Sequence, residues 1–118
     1  MPSRDQIQRT LAEMNEAENS PTLTAEQKSQ VIDRLSNPNV RGWANGLDRG
    51  GRAEEREQEA FLWSAITGYR REFETLIIDP PRAAIAWRLT GALGDDQIDL
   101  VGSTIFEFDA TARIDAAA

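Results

Sequence analysis

The side chains able to do chemistry in this 118-residue chain are carboxylates, arginines and hydroxyls, because it contains neither histidine nor cysteine. The usual general base near neutral pH is therefore missing, together with the commonest ligands of transition metals. Serine–histidine and cysteine–histidine mechanisms are excluded, as are disulfides. Acid–base catalysis would need a carboxylate inside a cavity, and we expect no metal and no cofactor.

Most carboxylates stand where solvent is expected to reach them. Asp99 and Glu107 alternate with the inward residues of a predicted strand and should face outward, where either can form a cross-strand surface ion pair with Arg88. Asp33 and Asp48 could approach a cavity mouth, although nothing in their spacing requires it. Four further aspartates occupy predicted turns, where carboxylates are usually solvated: Asp79, Asp95, Asp96 and Asp109.

The charge balance argues against polyanionic partners. Twenty acidic and thirteen basic residues give a formal charge of −7, whereas binding to nucleic acid or to an anionic membrane surface needs clustered Lys and Arg. The one concentration of arginines is interleaved with acids and favours a solvated helix face and strand start over an anion site. It consists of Arg52, Arg56, Arg70 and Arg71.

The length is that of a single domain, residues 1–118. No apolar run approaches the ~20 residues that span a bilayer, and the first nineteen residues lack a signal-peptide core. We therefore expect a soluble, cytoplasmic protein.

Three helices are predicted in the first half. Capping boxes at Ser3 and Thr24 open the first two, and Gly50-Gly51 precedes the third. Phe61, Leu62, Ala65 and Ile66 should form the apolar face of the third helix, and Gly68 should end it in the left-handed conformation. The predicted ranges are Arg4–Glu18, from Thr24 to the break at Asn37-Pro38-Asn39, and Arg52–Ile66.

The second half is predicted to form an antiparallel meander, since strong turn signals separate its alternating segments. Ala83, Ile85, Trp87 and Leu89 share one face of the second long strand. Helices followed by such a meander indicate an α+β domain whose mostly antiparallel sheet curls around a helical layer. The predicted strands are Val40–Asn45, Tyr69–Ile78, Arg82–Leu93, Gln97–Asp109 and Ala112–Asp115. The inward set of the third long strand is Ile98, Leu100, Gly102, Thr104, Phe106 and Phe108.

These segments resemble NTF2-like proteins, and most of all the SnoaL-like polyketide cyclase group. The resemblance rests on AIAWRLTG at 84–91, GSTIFEFD at 102–109 and ARI at 112–114, together with VRGWANG at 40–46 and GGR at 50–52. It implies a cone-shaped sheet closed by helices over a ligand cavity. It also implies a homodimer through the outer sheet face, with Ala84, Ala86, Arg88, Val101, Ser103 and Ile105 as interface candidates.

The catalytic pattern of the ketosteroid isomerases, which share this fold, is not matched. Their tyrosine falls at Thr10, their basic aspartate at Gly42 and their protonated aspartate at Thr104. Because threonine and glycine supply no base of suitable pKa, that mechanism is not expected. The last strand is also short by comparison with the family, which implies a more open pocket.

Three functions remain open. The first is a domain that binds a small hydrophobic molecule. The second is a cyclase, isomerase or hydrolase that acts on a polycyclic or terpenoid-like substrate through a cavity carboxylate, and the third is a dimeric interaction scaffold without catalysis. An inward Asp33, Asp48 or Asp109 with a raised pKa would favour the enzyme. The predicted ligand-binding residues are Thr10, Met14, Trp63, Tyr69, Trp87, Leu100, Thr104 and Phe106.

Overall fold

Three helices pack on the concave side of a curved, unclosed six-stranded sheet in a computed structural model that describes residues 1–118. The strand order is β2-β1-β6-β5-β4-β3, and every neighbouring pair is antiparallel except β1 with β6. The predicted α+β class is confirmed. The elements are α1 (Arg4–Asn19), α2 (Ala25–Leu35), β1 (Ser36–Ala44), β2 (Leu47–Gly50), α3 (Arg52–Ala65), β3 (Ile66–Asp79), β4 (Arg82–Leu93), β5 (Asp96–Phe108) and β6 (Ile114–Ala117).

Both predicted capping boxes are present. The hydroxyl of Ser3 accepts from the backbone N–H of Gln6, and the Gln6 side chain accepts from the Ser3 N–H in return. Thr24 and Gln27 repeat this exchange at the start of α2. These reciprocal bonds satisfy N–H groups that the first helical turn leaves without partners, so the sequence fixes where both helices begin. None of the three helices has the length and apolar character needed to cross a membrane.

Four of the five predicted strands were too short or shifted, and only Arg82–Leu93 has the predicted bounds. β1 begins at Ser36, so Asn37-Pro38-Asn39 lies within a strand rather than in a break, and β2 was missed altogether. The last strand is Ile114–Ala117, two residues later than predicted. The C-terminal residue Ala118 continues the β5–β6 pairing, because it exchanges two backbone hydrogen bonds with Ile105, at 2.7 and 2.9 Å.

The prediction for the apolar face of α3 was wrong. Phe61 is 66% exposed, Leu62 is exposed as well, and α3 contains no fully buried residue. Its end was also misplaced, since Ile66 already begins β3. Gly68 has the expected positive φ of 67°, but it lies at an irregularity of the β3–β4 ladder rather than at a helix end. The cause is that α3 lies largely over a cavity, which Glu55, Gln58 and Glu59 line, and contacts the core cluster through the partly buried Trp63.

The hydrophobic core joins α1 and α2 to β4, β5 and neighbouring strands. Ala83, Ile85 and Leu89 are buried, as the alternation of the second long strand predicted. Leu100 shares the face of β5 that carries Thr104 and Phe106, as predicted, but it is 54% exposed because it lies toward the start of the strand, away from the core cluster. The core cluster comprises Ile7, Leu11, Met14, Ile32, Leu35, Val40, Ile78, Ala83, Ile85, Phe106, Phe108 and Ile114.

The Trp87 ring lies against a glycine on the next strand. Trp87 and Gly102 are direct partners in the β4–β5 ladder, and a Cβ placed on Gly102 would lie 2.4 Å from ring atom Cζ2. The indole Nε1 donates a hydrogen bond to Thr104 Oγ1 at 3.0 Å. The missing side chain at position 102 therefore creates the space that the ring occupies, and Thr104 fixes the ring's orientation.

We predict that Gly102→Ala destabilises the protein, because the added methyl group would force the Trp87 ring from its place. Overpacking of this kind costs about 1–3 kcal/mol, measurable as a lower free energy of unfolding in urea. Ser103→Ala, on the next residue of β5 and the opposite face, is the matched control and should change stability by less than ~0.5 kcal/mol. Equal stabilities of the two variants would contradict this account of the ring.

Candidate functional site

A cavity of about 770 Å³ lies between the helices and the concave face of the sheet, and it is partly open to solvent. Apolar side chains from α1, α2, β4, β5 and β6 form part of its wall. The remainder is polar, with three glutamates from α1 and α3 and two arginines from β2 and β3. The apolar residues include Met14, Ile32, Trp87, Phe106 and Ile114, and the charged ones are Glu18, Glu55, Glu59, Arg49 and Arg71.

The carboxylates of α3 are held by one buried arginine. Arg52, whose side chain is only 12% exposed, donates from Nη1 to Glu59 Oε1 at 2.8 Å and to Glu55 Oε2 at 3.3 Å. Its Nε pairs with Asp33 on α2, and its Nη2 donates to the Ser29 carbonyl at 3.3 Å. Arg52 thus binds α3 to α2 and places two carboxylates of the same helix at the cavity wall.

Burial leaves these two glutamates hard to ionise. Burial raises the pKa of Glu59 to about 7, against the opposing charge of Arg52, and the neighbouring charges of Glu55 and Glu18 raise it as well. The pKa of Glu55 is also raised, again chiefly by burial, with Arg52 opposing. A carboxyl group with a pKa near neutrality can both accept and release a proton at physiological pH.

A second charged cluster lies at the α1 side of the cavity. The Glu18 carboxylate is almost fully buried, and its Oε2 accepts a hydrogen bond from the Tyr69 hydroxyl at 3.2 Å and from Arg71 Nη1 at 3.4 Å. Burial raises the pKa of Glu18, while Arg71, Tyr69 and Lys28 oppose that rise. Lys28 donates from Nζ to the Glu18 carbonyl oxygen at 2.8 Å.

The Arg71 guanidinium is stacked on aromatic rings. Its Cζ lies 5.0 Å from the centroid of Trp87 and 5.8 Å from that of Phe73, which is within cation–π range. Its Nε is buried and has no hydrogen-bond acceptor. Arg71 is therefore fixed in orientation but not fully used as a donor.

Four of the eight predicted ligand-binding residues line this cavity, namely Met14, Trp87, Thr104 and Phe106. The other four lie elsewhere. The Thr10 hydroxyl is buried and donates to the Ala112 carbonyl at 2.7 Å, and Trp63 packs against the core under Lys28. Tyr69 reaches the cavity only through Glu18, and Leu100 is exposed. Whether any of the eight contacts a ligand stays a prediction.

None of the three aspartates considered for catalysis lines the cavity. Asp33 pairs with Arg52 and Arg56, and Asp48 pairs with Arg41 on the surface. The backbone N–H of Gly50 and the Arg41 side chain lower the pKa of Asp48. Although burial alone would raise the pKa of Asp109, hydrogen bonds from Thr111 and Asn37 hold it below its usual range. The predicted surface pair is confirmed, since Arg88 binds Asp99 through two bonds at 2.6 and 2.7 Å.

The charged cavity residues were not predicted, although the sequence carries a signal for some of them. Arg52, Glu55 and Glu59 are spaced three and four residues apart, which places them on one helical face. Glu18 likewise continues the buried stripe that α1 begins at Ile7, Leu11 and Met14. The interpretation of the arginine cluster as a solvated surface was wrong for Arg52 and Arg71, which are largely buried. No group of three or more acidic side chains is arranged to hold a metal ion.

No protein-family model matches the sequence, and no curated protein matches it. Several solved structures, however, match the fold of this chain. A candidate SnoaL-like polyketide cyclase from Jannaschia sp. CCS1 superposes with a TM-score of 0.81 at 15% identity, covering 99% of this chain and 85% of that one. An NTF2-like protein of unknown function from Exiguobacterium sp. 255-15 superposes with a TM-score of 0.78 at 14% identity, covering 92% of this chain and 94% of that one. A candidate isomerase of the SnoaL-like family from Agrobacterium tumefaciens C58 gives 0.73 at 17% identity, with 96% and 94% covered.

At these identities the likeness establishes the fold. The chain has the NTF2-like fold in the form seen in SnoaL-like proteins, and the fold predicted from the sequence is confirmed. Because this fold hosts unrelated activities, the function has to be argued from the cavity itself.

We predict that Arg52→Gln destabilises the protein strongly, because it leaves Glu55 and Glu59 without their shared cation and Asp33 with Arg56 alone. Removing one partner of a buried ion pair costs about 3–5 kcal/mol. Since Arg52 favours the ionised glutamates, its contribution is full above the pKa of Glu59 and falls as pH drops through about 7. Urea denaturation at pH 8 and at pH 5 measures the difference in free energy of unfolding between the wild type and Arg52→Gln. This difference should be smaller at pH 5.

Arg34→Gln is the control, because Arg34 pairs with Glu13 at 2.6 Å with both side chains exposed. An exposed pair contributes about 0–1 kcal/mol. A loss in Arg52→Gln no larger than in Arg34→Gln, or one independent of pH, would show that Arg52 does not hold the site.

Proposed function

We propose that the protein binds a small, largely apolar molecule in this cavity and transfers a proton on it, with Glu59 as the acid–base group. The observation that carries the proposal is a carboxyl group of pKa about 7 at the wall of a partly apolar cavity. A base is most effective when its pKa lies near the working pH. In a chain without histidine, burial brings Glu59 to this condition, and Glu59 lines the cavity.

The α3 carboxylates also stand beside the glycine that replaces an expected aspartate. Gly42, where the resemblance places the basic aspartate of the isomerases, lines the cavity. A Cβ built on Gly42 would lie 3.4 Å from Glu55 Oε1. A helix thus supplies carboxylates next to the position where the strand supplies none, which supports acid–base chemistry at that wall.

The reaction class that fits is removal of a proton next to a carbonyl group. Solved structures of this fold include candidate cyclases and a candidate isomerase. Ring closure by carbon–carbon bond formation and migration of a double bond can both begin with this step. We place the substrate among apolar ring ketones, whose body would pack against Trp87 and Phe106.

Deuterium exchange of 2-tetralone in D₂O, followed by proton NMR, tests this proposal. The protein should accelerate exchange at the carbons next to the carbonyl, and the rate should rise with pH through about 7 as Glu59 ionises. Glu59→Gln should reduce the acceleration by about 10²–10⁴-fold, the usual effect of losing a general base.

Glu57→Gln is the matched control, because Glu57 is an exposed glutamate of α3 outside the cavity lining. It should keep the wild-type rate within about twofold. Equal exchange by wild type and Glu59→Gln would contradict the assignment. Quenching of tryptophan fluorescence by 2-tetralone without any exchange above buffer would instead support a domain that only binds its ligand.

We also propose that two copies associate through the outer face of the sheet. Ile77, Ala84 and Ile105 stand in register across β3, β4 and β5, and the two isoleucines are 63% and 53% exposed. The Arg88–Asp99 pair flanks this row with both signs of charge. A face with an apolar centre and paired charges at its rim can meet its own copy, since a twofold axis brings identical patches together. Ala86, Val101 and Ser103 remain interface candidates.

Ile105→Lys should convert the dimer to a monomer, as measured by sedimentation velocity at micromolar concentration. The reason is that the lysine cation would be desolvated in the middle of the dimer contact. Circular dichroism should show that the variant stays folded. Leu47→Lys, at a 70% exposed leucine of β2, should leave the mass unchanged. A monomeric wild type, or a dimeric Ile105→Lys, would show that this face does not bind a second copy.

A further inference from the structure

We infer that the ligand is a carbonyl compound whose oxygen binds the Arg71 guanidinium, and that Arg71 stabilises the negative charge formed on that oxygen. The inference rests on the proposed function and assigns the residue that binds the carbonyl oxygen of its substrate. It starts from the unequal use of the protein's buried arginines.

Arg71 is a cation with unused donors. Arg52, the other buried arginine of the site, donates to Asp33, Glu55, Glu59 and the Ser29 carbonyl. Arg71 makes only the 3.4 Å contact between Nη1 and Glu18, and its Nε has no acceptor. A buried donor without an acceptor is costly, and an arginine can present five N–H groups. The Nε atom itself is closed off from the cavity, but Arg71 lines the cavity and its Nη2 makes no hydrogen bond, so a ligand oxygen would be the acceptor for Nη2.

The charges of the cavity are divided between its two sides. At the α1 side, the positive charges of Arg71 and Lys28 face the single carboxylate of Glu18. This carboxylate also accepts a hydrogen bond from the Tyr69 hydroxyl. At the α3 side, Arg52 is shared among three carboxylates, Arg49 donates a hydrogen bond to Gln58 of α3, and burial raises the pKa of Glu59 to about 7. A ligand in this cavity would meet Arg71 at the α1 side and the proton acceptor Glu59 at the α3 side, where Arg49 is a second cation.

This division matches the charge flow of the proposed step. As the Glu59 carboxylate takes a proton from the carbon next to the carbonyl, the C–H electron pair forms a carbon–carbon double bond. The carbonyl π electrons then move onto the oxygen, which becomes an enolate. Arg71 donates hydrogen bonds to that oxygen and keeps its own protons. No oxidant, reductant or second reactant is needed. In a β,γ-unsaturated ketone the enolate is a dienolate, and return of the proton to its γ carbon completes an isomerisation.

The setting of Arg71 suits this role. Its guanidinium is stacked on Trp87, whose position is fixed by the Thr104 hydrogen bond and by the space at Gly102. Donors that are held in place before the reaction stabilise developing charge without the reorganisation that water requires. Trp87 and Arg71 together would then bind the ring and the oxygen of one molecule.

A phenol that resembles the enolate tests the inference without turnover. 4-Nitrophenol absorbs differently as phenol and as phenolate, so a pH titration in the presence of excess protein gives the pKa of the bound probe. The titration is performed in the Glu59→Gln background, so that the Glu59 carboxyl does not titrate in the same range. We expect the bound pKa to fall by about one unit, which corresponds to phenolate binding about tenfold more tightly than phenol.

Arg71→Met in the same background should abolish this preference while keeping an unbranched side chain against Trp87. Arg70→Met is the matched control, because Arg70 is the exposed neighbour that pairs with Glu72, and it should preserve the shift. If Arg71→Met does not fold, the bound pKa in the Glu59→Gln protein alone still decides the question.

An unchanged or raised pKa of the bound probe, or a preference that survives in Arg71→Met, would overturn the inference. The proposed function would stand in that case, since the probe binds. Failure of both 4-nitrophenol and 2-tetralone to quench tryptophan fluorescence at millimolar concentration would instead overturn the inference and the proposed function together.

Discussion

The position of α3 depends on one buried arginine. Among its apolar residues Phe61 and Leu62 are exposed and Trp63 is only partly buried against the core, so α3 is not held chiefly by an apolar face, as an amphipathic helix usually is. Arg52 provides the link, since it binds Asp33 of α2 and two glutamates of its own helix. A buried charge network of this kind contributes less net stability than apolar packing would. What it provides instead is a polar cavity wall at a fixed place.

That wall gives the cavity its chemical character. Carboxylates that share too few cations in a partly buried site are hard to ionise, and the pKa of about 7 at Glu59 follows from this. On the opposite side Arg71 is stacked on Trp87 with few acceptors. The apolar residues between them would orient a ring. Proton transfer next to a carbonyl requires these three features together, and the proposed function follows from their arrangement.

Local sequence signals predicted the scaffold well, because capping boxes, turn residues and strand alternation act over a few residues. Ser3, Thr24 and the whole of β4 were predicted correctly on this basis. Trp87, Thr104 and Phe106 were placed at the cavity from strand alternation together with the resemblance to NTF2-like proteins. The carboxylates were missed because their burial depends on tertiary contacts. From sequence alone, a glutamate on a charged helix is expected to be solvated. Its burial becomes evident only when the positions of Arg52 and of the facing strand are known.

The most direct test of this account is a carboxyl carbon NMR titration of the protein labelled at its glutamates, with Glu59→Gln used to assign the Glu59 signal. The account predicts that this signal titrates with a midpoint near 7, well above the value of about 4.3 for a solvated glutamate. A midpoint between 4 and 5 would mean that Glu59 is an ordinary solvated carboxylate. The cavity would then lack its acid–base group.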